Sequence, residues 1–415
     1  MDVAVRGWPV TPTEPDRPAA APEIVSSVPG SFPHDVFTRR HPALVERVRH
    51  AFPYGPAQHR ALDALVVELA EGVIEPLPPD AHDRERWDAW DAPAHLGRPW
   101  LQAPFLWAES YFYRRLLQAV DHFSPGPWQG VDPFAPFKQA ELAGPAVERE
   151  CAAAAEALTL PRPERDTALL TAALWGNRAD LGFRVSLAGL TAEETAADLV
   201  VDDSAALWAL LDGTPHGDTG PGTVCLVADN AGPELVADLV LLDHLLTSGR
   251  ADRVVVQVKP HPFYVSDATA ADVAAAVRRL RQGPGPTEAV ARRLTRAAAE
   301  GRLAVRTHPF FCAPLPYRRM PPELRAEFAS YRLTLFKGDL NYRRLVEDRQ
   351  WPATTPFAER TAFFPGPVAA LRTLKSDVVV GVPPEVLAAL DGGGRGWRTD
   401  GTHALVQLGG RGADG

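Results

Sequence analysis

Between residues 199 and 408, short apolar runs alternate with longer stretches whose apolar residues recur every three or four positions. Val224–Ala228, Val254–Val258, Leu303–Val305, Leu333–Phe336 and Val378–Gly381 have the length and β-branched content of strands buried on both faces. Leu235, Leu239, Leu242 and Leu246 set one apolar stripe on an amphipathic helix. Gly232 suits that helix's cap, Pro233 its first position and Glu234 the positive end of its dipole. Ala271–Leu280 and Glu288–Glu300 read as further helices, and His403–Leu408 as an edge strand. Strands and helices in this alternation predict an α/β fold around a largely parallel sheet.

The first part of the chain differs. Phe37–Pro53 and Ala57–Ile74 have helical spacing, with Leu62, Leu65, Val66 and Leu69 on one stripe, and so do the stretches around 107–115 and 141–160. The pattern predicts a helical N-terminal subdomain over 31–165 and an α/β domain over 166–410. Residues 1–30 contain six prolines and no periodicity, which predicts a mobile arm. Five of the ten tryptophans fall between 87 and 128, as core mass of the helical part or as one wall of a pocket.

Composition narrows the function. A hydrophobic content of 46% and a net charge of −9 suit a globular protein and disfavour a nucleic-acid partner. No apolar run approaches a membrane span, and no basic-then-apolar leader opens the chain. Cys151, Cys225 and Cys312 are isolated, which suits a reducing cytoplasm. Only four lysines and three asparagines occur, against abundant arginine, alanine and proline, as under a GC-rich coding bias. Under that bias a lysine or asparagine persists where arginine or aspartate would not serve, and Asn230, Lys259, Lys337 and Asn341 all sit at strand ends.

The candidate chemistry is a series of polar strand ends: Asp229-Asn230, Asp267, Lys337-Gly-Asp339-Leu340-Asn341-Tyr342-Arg343, and Arg372 with Lys375. In open α/β sheets ligands bind at the carboxyl ends of strands, and neighbouring ends are close enough for side chains to converge. Two carboxylates and an amide are hard oxygen ligands for a divalent cation such as Mg²⁺ or Mn²⁺, and the lysines and arginines would hold a phosphate beside it. That is equipment for metal-assisted phosphoester hydrolysis. Each residue also has a plainer account: Asp229, Asn230 and Asp267 as helix caps, Lys337, Asp339 and Arg343 as an ion-pair set, His261 and His308 as turn residues.

The motifs Trp107-Ala-Glu-Ser-Tyr-Phe-Tyr-Arg-Arg, Leu174-Trp-Gly-Asn-Arg-Ala-Asp-Leu, Asp229-Asn-Ala-Gly-Pro-Glu, Phe263-Tyr-Val-Ser-Asp, Lys337-Gly-Asp-Leu-Asn-Tyr-Arg and Arg372-Thr-Leu-Lys occur in that order. The series resembles the DUF89 damage-control phosphatases, in particular the subgroup also named acidic residue methyltransferase 1-like. The resemblance implies a three-layer α-β-α sandwich with a Rossmann-like sheet and a metal-dependent phosphatase acting on small phosphometabolites, including fructose 1-phosphate. By motif it assigns a divalent metal (Mn, Co, Ni or Mg) to Asp229, Asn230 and Asp267. It assigns substrate contacts to Asp339 through Arg343, to Lys375, and to Glu109 and Glu234; Asp339 is the candidate base. Pro233 and Gly182 depart from the family pattern. Two alternatives stay open: carboxyl methylation with S-adenosylmethionine, and phosphosugar binding without catalysis.

Overall fold

The computed structural model describes residues 21–176, 199–213 and 222–410. Among these, seven strands form one sheet: β1 (Leu199–Asp202), β2 (Thr223–Val227), β3 (Arg253–Val258), β4 (Leu303–Thr307), β5 (Leu333–Lys337), β6 (Pro367–Thr373) and β7 (Ala404–Gly410). Their order is β1-β7-β6-β5-β2-β3-β4. The run from β6 to β4 is parallel, while β7 is antiparallel to β6 and parallel to β1. A parallel neighbour requires a crossover, and helices supply it on both faces. The α/β fold with a mostly parallel sheet is therefore as the alternation predicts.

The strand period decides which side chains enter which layer. Val224, Leu226, Val254, Val256, Leu333 and Leu335 point into one core, with the helices Pro145–Ala157, Arg162–Trp175, Pro233–Thr247, Ala270–Arg281 and Gly285–Ala299. Cys225, Val227, Val255 and Phe336 point into the other, which they share with the N-terminal helices His41–Arg49, Pro56–Glu71 and Phe105–Ala119. The helical part and the sheet thus share one core. The boundary expected near 165 falls inside a single layer, in the helix Arg162–Trp175. Of the stretch expected to be a mobile arm, residues 1–20 lie outside the described residues, whereas Glu23 and Val25 form bridges to Arg349 and Pro104.

Three expectations need correction. The helix Pro233–Thr247 is buried all round rather than amphipathic, because other helices cover the face it turns away from the sheet. Its polar side chains are accordingly paired: Asp243 with Arg293 at 2.9 Å and His244 with Asp166 at 2.6 Å. The run expected at His403–Leu408 enters β7 from Ala404 onward, and β7 is not an edge, since β1 pairs with its outer side. The run expected as a strand at 378–381 is not one, and the strand is Pro367–Thr373, which pairs with β5 and β7. At Val380 side chains replace a strand partner: the Tyr342 hydroxyl accepts from its N–H at 3.1 Å and Gln407 Nε2 donates to its carbonyl at 2.7 Å. The buried backbone is satisfied without a ladder. Arg372 therefore lies near the carboxyl end of a strand and Lys375 just beyond it.

Candidate active site

Each polar strand end is shaped by its own backbone. After β2 the chain turns at Asp229-Asn230 and enters the helix Pro233–Thr247 through Gly232, at φ +76°. After β3 it makes a longer turn to Asp267. Ala231 N–H donates to Ser266 O at 2.7 Å and Ala268 N–H donates to Asp229 O at 2.8 Å. These bonds zip the two turns into an antiparallel bridge between Asn230 and Asp267. The longer turn holds Tyr264 at φ 44° and Val265 at φ 61°, values a β-branched residue adopts only under constraint.

Gly338, between β5 and the helix Gly338–Val346, has φ +81°, and a Cβ there would lie 1.8 Å from Asp229 Oδ2. Glycine is required by both conformation and space. At the other end of that helix, Glu347 at φ 76° turns the chain so that Asp348 reaches back to Arg343 at 2.7 Å.

These ends enclose a cleft of about 410 Å³. Of the sequence candidates, Glu109, Asp229, Asn230, Asp267, Asp339, Leu340, Arg343 and Lys375 line it. Glu234, Lys337, Asn341, Tyr342 and Arg372 are buried behind it. Asn230 Nδ2 donates to Asp229 Oδ2 at 2.8 Å and to Glu234 Oε2 at 2.9 Å, and Ser266 Oγ donates to Asn230 Oδ1 at 2.5 Å. Lys337 is clamped between Glu234 at 3.1 Å and Asp238 at 2.9 Å. Arg372 Nε donates to Asp339 Oδ1 at 2.9 Å, as does Ser376 Oγ at 3.0 Å. Asn341 ties Ala228 O to Lys337 O, at 3.2 and 2.9 Å, so it braces β2 against β5. Tyr342 bonds Gln407 at 2.9 Å. Asn177 and Asp180, quoted in the second motif, and Gly182 lie outside the described residues.

Electrostatics divides the acids into two kinds. Burial, then the charges of Glu234 and Asp267, push the Asp229 carboxyl well above the carboxylate range. Burial likewise raises Asp267 to about 6, against the pull of Lys259. Burial also raises Glu109, to about 7, although Arg343 Nη1 donates to it at 3.1 Å. Asp339 goes the other way: burial would raise it, but Arg372 and Arg343 together hold it below its ordinary value. So Asp339 is held as an anion, whereas burial opposes charge on both Asp229 and Asp267, and repulsion from Glu234 and Asp267 adds to it at Asp229.

A cation is the natural relief for that repulsion. Asp267 Oδ2 is buried, lies 3.3 Å from the Lys259 ammonium, and receives no well-aligned hydrogen bond. Among the described residues no three His, Cys, Asp or Glu side chains are grouped as a metal cage. A set of two carboxylates and the Asn230 amide oxygen fits a hard divalent ion that keeps solvent or substrate in its remaining positions.

Sequence reasoning missed several contributors. Arg40 and Phe32 bring the helical part to the cleft mouth, and Thr399 to Gly401 close it from the approach to β7. Nothing in their local sequence marks them. Tyr264 stacks on Tyr113 with ring centroids 4.6 Å apart. Lys138 donates to the Asp267 carbonyl at 2.9 Å, and the scarcity of lysine was the signal for it.

Comparison with known proteins places the chain in a family. The family model described as the damage-control phosphatase ARMT1-like domain matches residues 36–390. The mouse protein named damage-control phosphatase ARMT1 is 32% identical over 344 residues, 76% of this chain and 76% of its own. The zebrafish protein of the same name is 31% identical over 333 residues, covering 74% of each. A solved DUF89 family structure from Pyrococcus horikoshii aligns with TM-score 0.45 and 16% identity over 86% of this chain and 94% of that one. On the extent of the family match and the identity to these relatives, the chain belongs to the damage-control phosphatase ARMT1-like family.

Proposed function

We propose that the chain is a metal-dependent phosphomonoesterase for small phosphorylated metabolites, sugar phosphates such as fructose 1-phosphate among them. The observation that carries this is the meeting of two repelling carboxylates, an amide and the Lys375 ammonium in one cleft. Asp229, Asn230 and Asp267 would hold the cation (Mn, Co, Ni or Mg). When bound, such an ion offers positive charge to the phosphoryl oxygens and an acidified water. Lys375 lines the cleft with no ion-pair partner among the described residues, so its charge is available to the phosphate.

Arg343 is spoken for by Asp348 and Glu109, so we assign it a positioning role, with its guanidinium lying 4.5 Å over the Phe105 ring. Asp339, the candidate base by sequence, is a weak base here because two arginines stabilise its anion. Glu109, raised to about 7 and lining the same cleft, is better matched to proton exchange at neutral pH. The three cysteines are free and buried, which supports a reducing compartment. No helix of the described residues is long and apolar enough to cross a membrane.

The test is phosphate release from a sugar-phosphate panel by the full chain, with each of the four metals and with chelator. We expect release that needs metal and is abolished by Asp229→Ala. No release from any substrate, or release that survives Asp229→Ala, overturns the proposal. Methyl transfer from labelled S-adenosylmethionine without phosphate release would replace it.

A further inference from the structure

A second cavity, of about 560 Å³, shares no lining residue with the cleft. Its size is within the ordinary range for a small-molecule site. It opens between the helical part and the start of the β3 turn, and its lining includes His122 and His261.

The two imidazoles are locked in one tautomer. His122 Nδ1 lies 2.8 Å from the Val131 carbonyl, and His261 Nδ1 lies 3.1 Å from the Pro262 carbonyl. A carbonyl oxygen only accepts, so each Nδ1 carries the proton. Burial disfavours a second proton on either ring and lowers His261 to about 4. Each Nε2 is therefore a bare acceptor. His122 is only 6% exposed, and its Nε2 has no partner among the described residues. That nitrogen faces open cavity space, and a ligand that covered it without a donor would leave it unsatisfied, so a ligand filling the cavity must bring one.

The rest of the lining says what carries that donor. Trp87, Trp90 and Phe123 supply aromatic walls. The Phe123 ring meets His122 at 4.7 Å and His261 at 5.2 Å. Asp83 is consumed by Arg114, at 2.7 and 2.8 Å, and by the Trp87 indole N–H at 3.1 Å. No carboxylate is left for an ammonium ion. Arg86 lies over the Trp90 ring at 5.9 Å and presents a positive edge suited to the face of another ring. Cys312 Sγ approaches His261 at 4.0 Å, but no three ligating side chains are grouped for a metal among the described residues.

We propose that this cavity binds a flat, uncharged aromatic molecule carrying N–H or O–H donors on one edge, which His122 Nε2 and His261 Nε2 receive. Calorimetric titration of the full chain with adenine, 5-hydroxyindole and 4-aminophenol tests it directly, without reference to turnover. At least one of the three should bind, and His122→Phe should weaken it about ten-fold or more, the worth of one hydrogen bond of roughly 1.4 kcal/mol. His122→Gln, which keeps an acceptor, should restore part of the loss. For adenine, 6-dimethylamino-9-methylpurine keeps the ring system and removes the donors, so it should bind far more weakly to the unmodified protein. That comparison holds even where a variant fails to fold. Absence of binding by all three compounds overturns the proposal. So does binding that folded His122→Phe leaves unchanged, or equal binding of adenine and its donor-free analogue.

Discussion

Replacing Gly338 by alanine tests how the candidate active site is held. The new Cβ would lie 1.8 Å from Asp229 Oδ2, 2.1 Å from its Cγ and 2.7 Å from its Cβ. All three are below any contact that real Cβ atoms make, so the Asp229 carboxylate must leave its place beside Asn230. The φ of +81° adds about 1–2 kcal/mol for any residue with a Cβ. Overpacking a buried site adds roughly 1–3 kcal/mol. The total loss is therefore about 2–5 kcal/mol, read from urea unfolding. Most of the clash belongs to one side chain, so the two sites must be coupled. In the Asp229→Ala background the contacts at 1.8 and 2.1 Å vanish, while the Cβ contact at 2.7 Å remains. Gly338→Ala should then cost its backbone strain and the residual Cβ contact but not the carboxylate clash, giving an interaction energy of about 1–2 kcal/mol in the double-mutant cycle. Phosphate release by the single variant should fall by roughly 100-fold, the usual cost of a 1 Å misplacement. Additivity within about 0.5 kcal/mol would refute the steric reasoning. Full activity in Gly338→Ala would refute the role given to Asp229.

Two further outcomes follow from buried charge. Arg372 is fully buried and bonds Asp339, the Ser376 hydroxyl and carbonyl, and the Val378 carbonyl. Lysine lacks the planar fork, so Arg372→Lys should destabilise by about 3–5 kcal/mol, and full stability in a melting experiment would show these bonds to be dispensable. Glu150 is buried beside Asp238, has one carboxyl oxygen without a partner, and burial raises it to about 8 from an ordinary 4.5. The folded state keeps this proton while the unfolded chain gives it up, so stability is full below pH 4.5 and lost as pH rises toward 8. Relative to Glu150→Gln, the unmodified protein should lose roughly 3–5 kcal/mol across that window, at about 1.4 kcal/mol per unit. A difference that is flat with pH would refute a raised carboxyl there.

Much of the candidate site was legible because strand ends announce themselves: an apolar run stops, and the next polar residues lie at the sheet edge. Lysine scarcity proved more informative than any single motif. Lys138 and Lys259 both touch Asp267, Lys337 holds Glu234, and Lys375 lines the cleft. Less legible was whatever depends on which of two equivalent apolar runs finds a partner. Val368–Leu371 and Val378–Val380 look alike as sequences, and only tertiary pairing, with Tyr342 and Gln407 supplying substitute bonds, separates them. Periodicity misread the helix Pro233–Thr247 for a related reason. A stripe of leucines shows one buried face and is silent about what covers the opposite one. Arg40 and Gly401 were out of reach, since no local pattern says which distant loops meet at a cleft mouth.

The zipped turns have a consequence for how the protein comes to be active. Asp229 takes its backbone partner from residue 268 and its side-chain wall from residue 338. The acidic pair has its full surroundings only with β2, β3 and β5 side by side, so a chain that ends before residue 338 lacks the wall against Asp229. A chain stalled partway through synthesis, or an intermediate lacking the β5 crossover, has the carboxylates but no geometry. Turnover at the proposed site therefore requires all three strands together, and a half-built molecule should show none.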